Sequence, residues 1–312
     1  MPFQRQLKLA ARLLGYGVIA FCLWYLGNAL ADHYQSLIEF KWGVTVWSTL
    51  LLTSVVYAAS FLFLALSWAV LLFGKMPSPR QALQVFSVYG RSSIGKYLPS
   101  NVLHFVGRQV LGKALGESQI RLGLASFVEI GFSLLSVILL TSAVFSHPDN
   151  TINLINPAQS QLLLCFTILL LGMACAFPYI WPKFANRNLG RLSRFCDQVS
   201  TVPFATAFAL NFLFFLAVGL VAAFTSTILS DSDLKLFYIA AVYLMSWLIG
   251  YVVPGASGGL GVREAIIVAQ LSPELGEATA LAFAIFMRLQ TTLADGIVFA
   301  MAFSVPERYR KI

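Results

Sequence analysis

The sequence predicts an all-α polytopic membrane protein of about seven to eight transmembrane helices, with two broken or re-entrant helical hairpins that form an internal repeat. Three observations predict it. The chain is 58% hydrophobic and only 11% charged, less than half the roughly one quarter of charged residues with which a soluble domain coats its surface. Seven stretches approach or exceed the ~20 apolar residues that carry a helix across a bilayer: 13–31, 44–73, 121–146, 161–181, 204–230, 236–253 and 278–303. Two further stretches, 93–112 and 251–270, are apolar but punctured by proline, glycine and arginine. The same composition excludes disorder, which needs low hydrophobicity. Four cysteines in 312 residues are too few for a disulfide-stapled secreted scaffold.

Each element follows in order. Arg5, Lys8 and Arg12 precede the first stretch, which ends Ala29-Leu30-Ala31 like a cleavage site. Its apolar run is longer than the roughly 7 to 15 residues of a signal-peptide core, so a retained span is expected. Lys75, Arg80, Arg91 and Lys96 follow the second stretch, and Lys183, Arg187, Arg191 and Arg194 follow the fourth. Basic residues in short loops stay on the cytoplasmic side, which places the N-terminus there too. The loop 147–160 has no Lys or Arg, and the neighbouring outer loops have only Lys41 and Lys235. The net charge of +8 therefore reflects topology, and nucleic acid is not an expected partner. Arg308, Arg310 and Lys311 argue for an inner C-terminus, whereas a simple count puts it outside. Residues 254–277 must then hold a re-entrant loop or an extra, broken crossing. The whole chain, 1–312, reads as one integral membrane domain, with approximate halves 44–200 and 204–303 that each carry one proline-broken segment.

No catalytic constellation is evident. His33, His104 and His147 lie in different segments, and Cys22, Cys165, Cys175 and Cys196 have no ligand spacing. Zinc, nucleophile-elbow and phosphate-loop motifs are all missing. The longest polar loop, near 182–203, is far below the roughly 100 residues of an ordinary catalytic domain. No enzyme activity, cofactor or metal is expected.

The broken segments are the informative part. Each has a proline followed nine residues later by an arginine: Pro99 to Arg108, and Pro254 to Arg263. Each precedes an apolar span with ionizable residues, Glu129 in the first case and Arg288 with Asp295 in the second. Pro254, Gly255, Gly258, Gly259 and Gly261 favour non-helical backbone, whose freed amides and carbonyls cost several kcal/mol each in lipid. Such backbone survives only inside protein or along a wet cavity. Paired interrupted segments of this kind mark the substrate site of a transporter. A central Arg or Asp costs about 2.5–3.5 kcal/mol on the insertion scale, so Arg108, Arg263, Glu129, Glu264, Arg288 and Asp295 must face one another or water. Arg288 and Asp295, seven apart, share one helix face. Asn101, His104 and Arg108 form a polar stripe, and an arginine fork suits phosphate.

The string PGASGGLGVRE (Pro254 to Glu264), followed by Ala280 to Arg288, resembles the C-terminal signature of the lysylphosphatidylglycerol synthase transmembrane-region family, also described as lipid flippases. GKYLPSNVLHFVGRQ followed by Glu129 resembles the family's other signature, with Ser100 where glycine is usual and Ile130 where many members have arginine. The resemblance implies a bacterial inner-membrane protein that moves a lipid with a charged headgroup between leaflets. It also implies a lipid partner, an anionic phospholipid or a polyprenyl-phosphate lipid, and a partner glycosyltransferase or other envelope enzyme. The family's soluble aminoacyl-transfer domain has no counterpart in this sequence, so synthase activity is not expected. On this reading Arg108, Arg263, His104 and Asn101 bind the lipid phosphate, and Glu129, Glu264, Arg288 and Asp295 form a switching charge network. The alternatives are a non-transporting scaffold for a glycosyltransferase and an intramembrane enzyme acting on lipid headgroups.

Overall fold

The computed structural model describes residues 17, 20–35, 43–98, 103–145, 161–162, 164–165, 167–169, 172, 201–230 and 236–306. Among these residues the chain is helical, without a strand. Four helices are long and apolar enough to cross a membrane: α1 (Val44–Phe73), α4 (Gln119–Phe145), α5 (Thr201–Leu229) and α8 (Glu277–Ser304). They coincide with four of the predicted stretches and point to a membrane protein. Between them lie α2 (Pro79–Ser93), α3 (Leu103–Gly112), α6 (Leu236–Val252) and α7 (Val262–Leu275). The predicted stretch 236–253 is thus a helix of 17 residues, and that at 13–31 is helical from residue 20. Most of 161–181, together with Lys183, Arg187, Arg191, Arg194, His147, Cys175 and Cys196, lies outside the described residues.

Local chemistry sets the boundaries. Gly74 takes a left-handed backbone (φ 65°) and ends α1, its N–H donating to Val70 O at 2.9 Å. α2 then starts on a reciprocal cap. The Ser78 N–H donates to Gln81 Oε1 (3.0 Å), the Gln81 N–H donates to Ser78 Oγ (3.4 Å), and Pro79 fills the first helical position, where its missing N–H costs nothing. Gly276 (φ 78°) separates α7 from α8 and returns its N–H to Ser272 O.

Helices pair antiparallel on either side of each predicted break. In the first, α2 and α3 run past each other on small residues. Gly107 lies against Ser92, and a Cβ on Gly95 would sit 2.9 Å from the His104 backbone nitrogen. In the second, α6 and α7 pair. Gly250 lies against Arg263 at one end, and the Tyr238 hydroxyl donates to Gln270 O (3.3 Å) nearer the other. The turn of the first pair contains a 3-10 segment, Ile94–Tyr97, and that of the second contains another, Ser257–Gly259.

The described residues fall into two compact units. The first takes those within Met1–Tyr57, Ile94–His104 and Val218–Ala294; the second takes those within Ala58–Ser93, Phe105–Ala217 and Asp295–Ile312. Both units draw on both halves of the chain. In the first, Phe283, Phe286, Ile267 and Tyr238 are fully buried, and Cys22 packs with Ala256, Val262 and Ala265. In the second, Phe132 meets the edges of Phe204 and Phe208 (4.7 and 5.5 Å between centroids). Buried Asn211 ties three helices of that unit, accepting from Ser133 Oγ (2.9 Å) and donating to Ser67 Oγ (2.8 Å), which itself donates to Ala207 O. Apolar association alone does little between helices in lipid, and such hydrogen bonds and close small-residue contacts take its place.

Candidate functional site

In the first unit the two hairpin tips touch. The Ser257 hydroxyl donates to Leu98 O (3.1 Å), and Gly258 faces Tyr97 and Lys96 O. The turn takes this course because Gly258 has a positive φ of 58°, and Gly255, Gly259 and Gly261 around it are positive too, a conformation only glycine adopts without cost. The Pro254–Gly261 string is therefore a turn that brings backbone carbonyls close to the other tip.

Arg288 reaches this contact from α8. Its Nη1 donates to Gly258 O (3.1 Å) and lies 3.4 Å from Glu264 Oε1, and its guanidinium carbon stands 6.0 Å from the Tyr97 ring centroid. The sequence placed Arg288 and Asp295 on one helix face and in one charge network with Glu264 and Glu129. Of these, Arg288 pairs with Glu264 in the first turn of α7. Asp295 is buried in the second unit.

Arg263 differs from Arg288 in having no carboxylate partner among the described residues. Its stem is clasped between Gly250 and Gly259, where a Cβ at either position would collide with it. Its guanidinium lies 5.7 Å from the Trp247 ring, which stacks on Tyr251 (5.0 Å, 9°). Among the described residues Arg263 makes no ion pair, and its buried Nε has no hydrogen-bond partner. Glu264 Oε2 is likewise buried without one. Gly261 gives α7 no side-chain cap, so the positive end of that helix adds to two arginines opposed by one glutamate. Lys96 stands over the Tyr97 ring at 5.6 Å.

In the second unit Arg108 is committed. Its Nη1 donates to Glu129 Oε2, and the Tyr89 hydroxyl donates to the other carboxylate oxygen, Oε1, at 2.6 Å. The guanidinium carbon is 3.8 Å from the Tyr89 ring centroid, with Phe105 and Trp68 at 5.4 and 5.5 Å. The Trp68 Nε1–H donates to Ser126 Oγ (3.1 Å), so the wall behind the pair is itself hydrogen-bonded. Arg108 and Glu129 are each only 3% exposed.

The structure thus brings together Arg263, Glu264, Arg288 and the Gly258 turn in one unit, and Arg108 with Glu129 in the other. His104 belongs to the first unit, with its backbone against Gly95. Pro99 and Asn101 lie outside the described residues. Sequence reasoning missed Tyr97, Trp247, Ser257, Tyr89 and Trp68. Only the general demand that a buried charge be surrounded by donors and aromatic faces would have prompted a search for them.

The chain matches no protein-family model and no curated protein. Its class rests on its own features: among the described residues, four helices long and apolar enough to span a membrane, and two glycine-rich or glycine-flanked turns that meet beside a cluster richer in arginine than in carboxylate.

Proposed function

We propose that the protein is a lipid translocase of the bacterial inner membrane, with its N-terminus in the cytoplasm, that binds the phosphate of an anionic or polyprenyl-linked lipid at the hairpin tips during envelope biogenesis. The observation that carries this reading is Arg263. A permanently charged side chain clasped by two glycines, set 5.7 Å from the Trp247 ring and without an anionic partner among the described residues suits an anion supplied from outside. Arg288 contributes a second fork and the first turn of α7 a positive end. The headgroup sits at the tips while the acyl or isoprenoid tail stays in the bilayer. Arg108, whose charge Glu129 already meets, holds its hairpin in shape. The resemblance to the flippase family supports the same reading, and with it the passage of lipid between leaflets.

Purified protein in liposomes should accelerate headgroup translocation of phosphatidylglycerol or of a polyprenyl phosphate over empty vesicles. Arg263→Ala should abolish that acceleration while leaving membrane insertion intact. No acceleration for any anionic or isoprenoid lipid rejects translocation. In that case a stable co-purifying glycosyltransferase identifies a scaffold, and a covalently altered lipid identifies an enzyme.

A further inference from the structure

We infer that Gln290 and Thr225 hold a buried water molecule among α1, α5 and α8, at a site separate from the arginines of the hairpin tips. Gln290 follows Arg288 by two residues, about 200° around the helix, so it faces away from the tips. Gln290 and Thr225 are both 0% exposed. Among the described residues neither amide atom of Gln290 has a hydrogen-bond partner, nor has Thr225 Oγ1. A buried polar group without a bond is costly in any protein core and more so in a membrane. The neighbours of Thr225 show the contrast. Ser226 Oγ donates to Ala223 O (2.7 Å) and Thr227 Oγ1 to Phe224 O (2.8 Å), each returning its proton to its own helix.

Helix register brings the two side chains to one level. α1 and α5 run antiparallel: Ser67 Oγ donates to Ala207 O, and two turns further along α5 Phe214 meets Phe61 (5.7 Å between centroids). Ala207, Asn211, Phe214, Val218 and Thr225 share one buried face of α5, since spacings of three, four and seven return to the same side of a helix. Thr225 therefore comes to α1 near Leu50, beside buried Thr49 and Thr53. α8 runs parallel to α1. Ser54 Oγ donates to Gln290 O (3.3 Å), while further along both helices Trp68 meets Tyr89 (6.3 Å) and the adjacent Gly90 lies against Val298 and Ala302. A helical side chain leans toward the N-terminus of its helix, so the Gln290 amide leans from the level of Ser54 toward that of Leu50, where Thr225 stands. The Thr53 and Ser54 hydroxyls donate to carbonyls of α1 (both 2.6 Å) and keep lone pairs that accept. Such a site asks for one ligand that both donates and accepts. Nε2 is a donor, Oε1 an acceptor and the Thr225 hydroxyl either; water, which makes about three bonds when buried, meets all of them. A metal cation would leave Nε2 facing a like charge.

The test reads water at the amide itself. Full-length protein with isotopically labelled glutamine and asparagine nitrogens is placed in liposomes, and proton polarisation transfer from water to the side-chain amides is followed by solid-state NMR. Asn211 is the internal control, because it is as buried as Gln290 (both 0% exposed) but bonds Ser67 and Ser133. Both amides are assigned through their backbone resonances. Transfer to Gln290 Nε2 should be several-fold faster than to Asn211 Nδ2; equal rates overturn the site, and this readout needs no variant to fold. A double-mutant cycle of Gln290→Met and Thr225→Val, read by thermal unfolding, then asks whether the two residues share the ligand. Their effects on stability should be non-additive, as for residues with a common partner; additive effects overturn the shared water. Replacing choline by sodium in the buffer should leave the Gln290 resonances in place, and a sodium-dependent shift overturns water in favour of a cation.

Discussion

Arg108 and Arg263 stand nine residues after a proline in matching segments, yet their surroundings are opposite. Arg108 is sealed: a carboxylate, a tyrosine hydroxyl on that carboxylate and three aromatic rings enclose it at 3% exposure. Arg263 has glycines along its stem, one indole beside its head and no carboxylate among the described residues. The sequence assigned one role to both because the spacing is the same. The difference teaches that a costly charge in an apolar segment has two physical solutions. It is either neutralised inside the protein or left for a ligand to neutralise, and only the three-dimensional neighbours distinguish them.

The largest test breaks the sealed side. Glu129→Ala leaves Arg108 buried without its counter-charge and the Tyr89 hydroxyl without its acceptor, and removing one partner of such a pair costs about 3–5 kcal/mol. Thermal unfolding in detergent should show that loss. The double variant Arg108→Met with Glu129→Leu should recover most of it, because two apolar side chains of similar volume need no neutralisation. If Glu129→Ala is as stable as the parent, the pair is not the structural element described here.

The next tests compare the tips themselves. At Gly95 the obstacle is space: a Cβ would meet the backbone of His104 at 2.9 and 3.0 Å, atoms that cannot swing aside, so Gly95→Ala should cost about 1–3 kcal/mol, as overpacking does. At Gly258 there is space, the nearest atoms lying 3.8 Å away, but φ is +58°. There Gly258→Ala should cost roughly 1–2 kcal/mol from handedness alone. The two are separable by substitution, since Gly258→Asn, whose side chain tolerates the left-handed region, should be milder than alanine, while Gly95→Asn should be worse.

Much of this architecture was legible in the sequence. The apolar runs at 44–73, 121–146, 204–230 and 278–303 match α1, α4, α5 and α8 within a few residues, because composition alone distinguishes a helix built for lipid. The Pro254–Gly261 break was legible for the same reason, since four glycines in seven residues have no place in a helix. Pairing was not. Glu129 meets an arginine 21 residues earlier and Arg288 a glutamate 24 residues earlier, each across a turn whose course no periodicity encodes. The aromatic faces under the arginines escaped because tyrosine and tryptophan are ordinary residues in an apolar chain. Glycine was the one available signal: Gly250 and Gly259 mark where a side chain must lie close, and Arg263 is what lies there.

The smallest expected effect on stability is the one that sharpens the comparison most. Arg263→Met keeps the unbranched stem that fills the space over Gly250 and Gly259 and removes only the charged head. The loss is a cation–aromatic contact with Trp247, worth about 0.5–1 kcal/mol at a partly exposed site. Against it stands the relief of a buried Nε that has no hydrogen-bond partner, a term of similar size and opposite sign. Stability should therefore stay within about 0.5 kcal/mol of the parent by the same thermal assay, whereas translocation of an anionic lipid in liposomes should fall to the level of empty vesicles. Arg263→Lys should retain part of the activity, since it keeps a point charge but loses the planar fork. A strongly destabilised Arg263→Met would place Arg263 with Arg108 as a structural charge, and the contrast between the two hairpins would be lost.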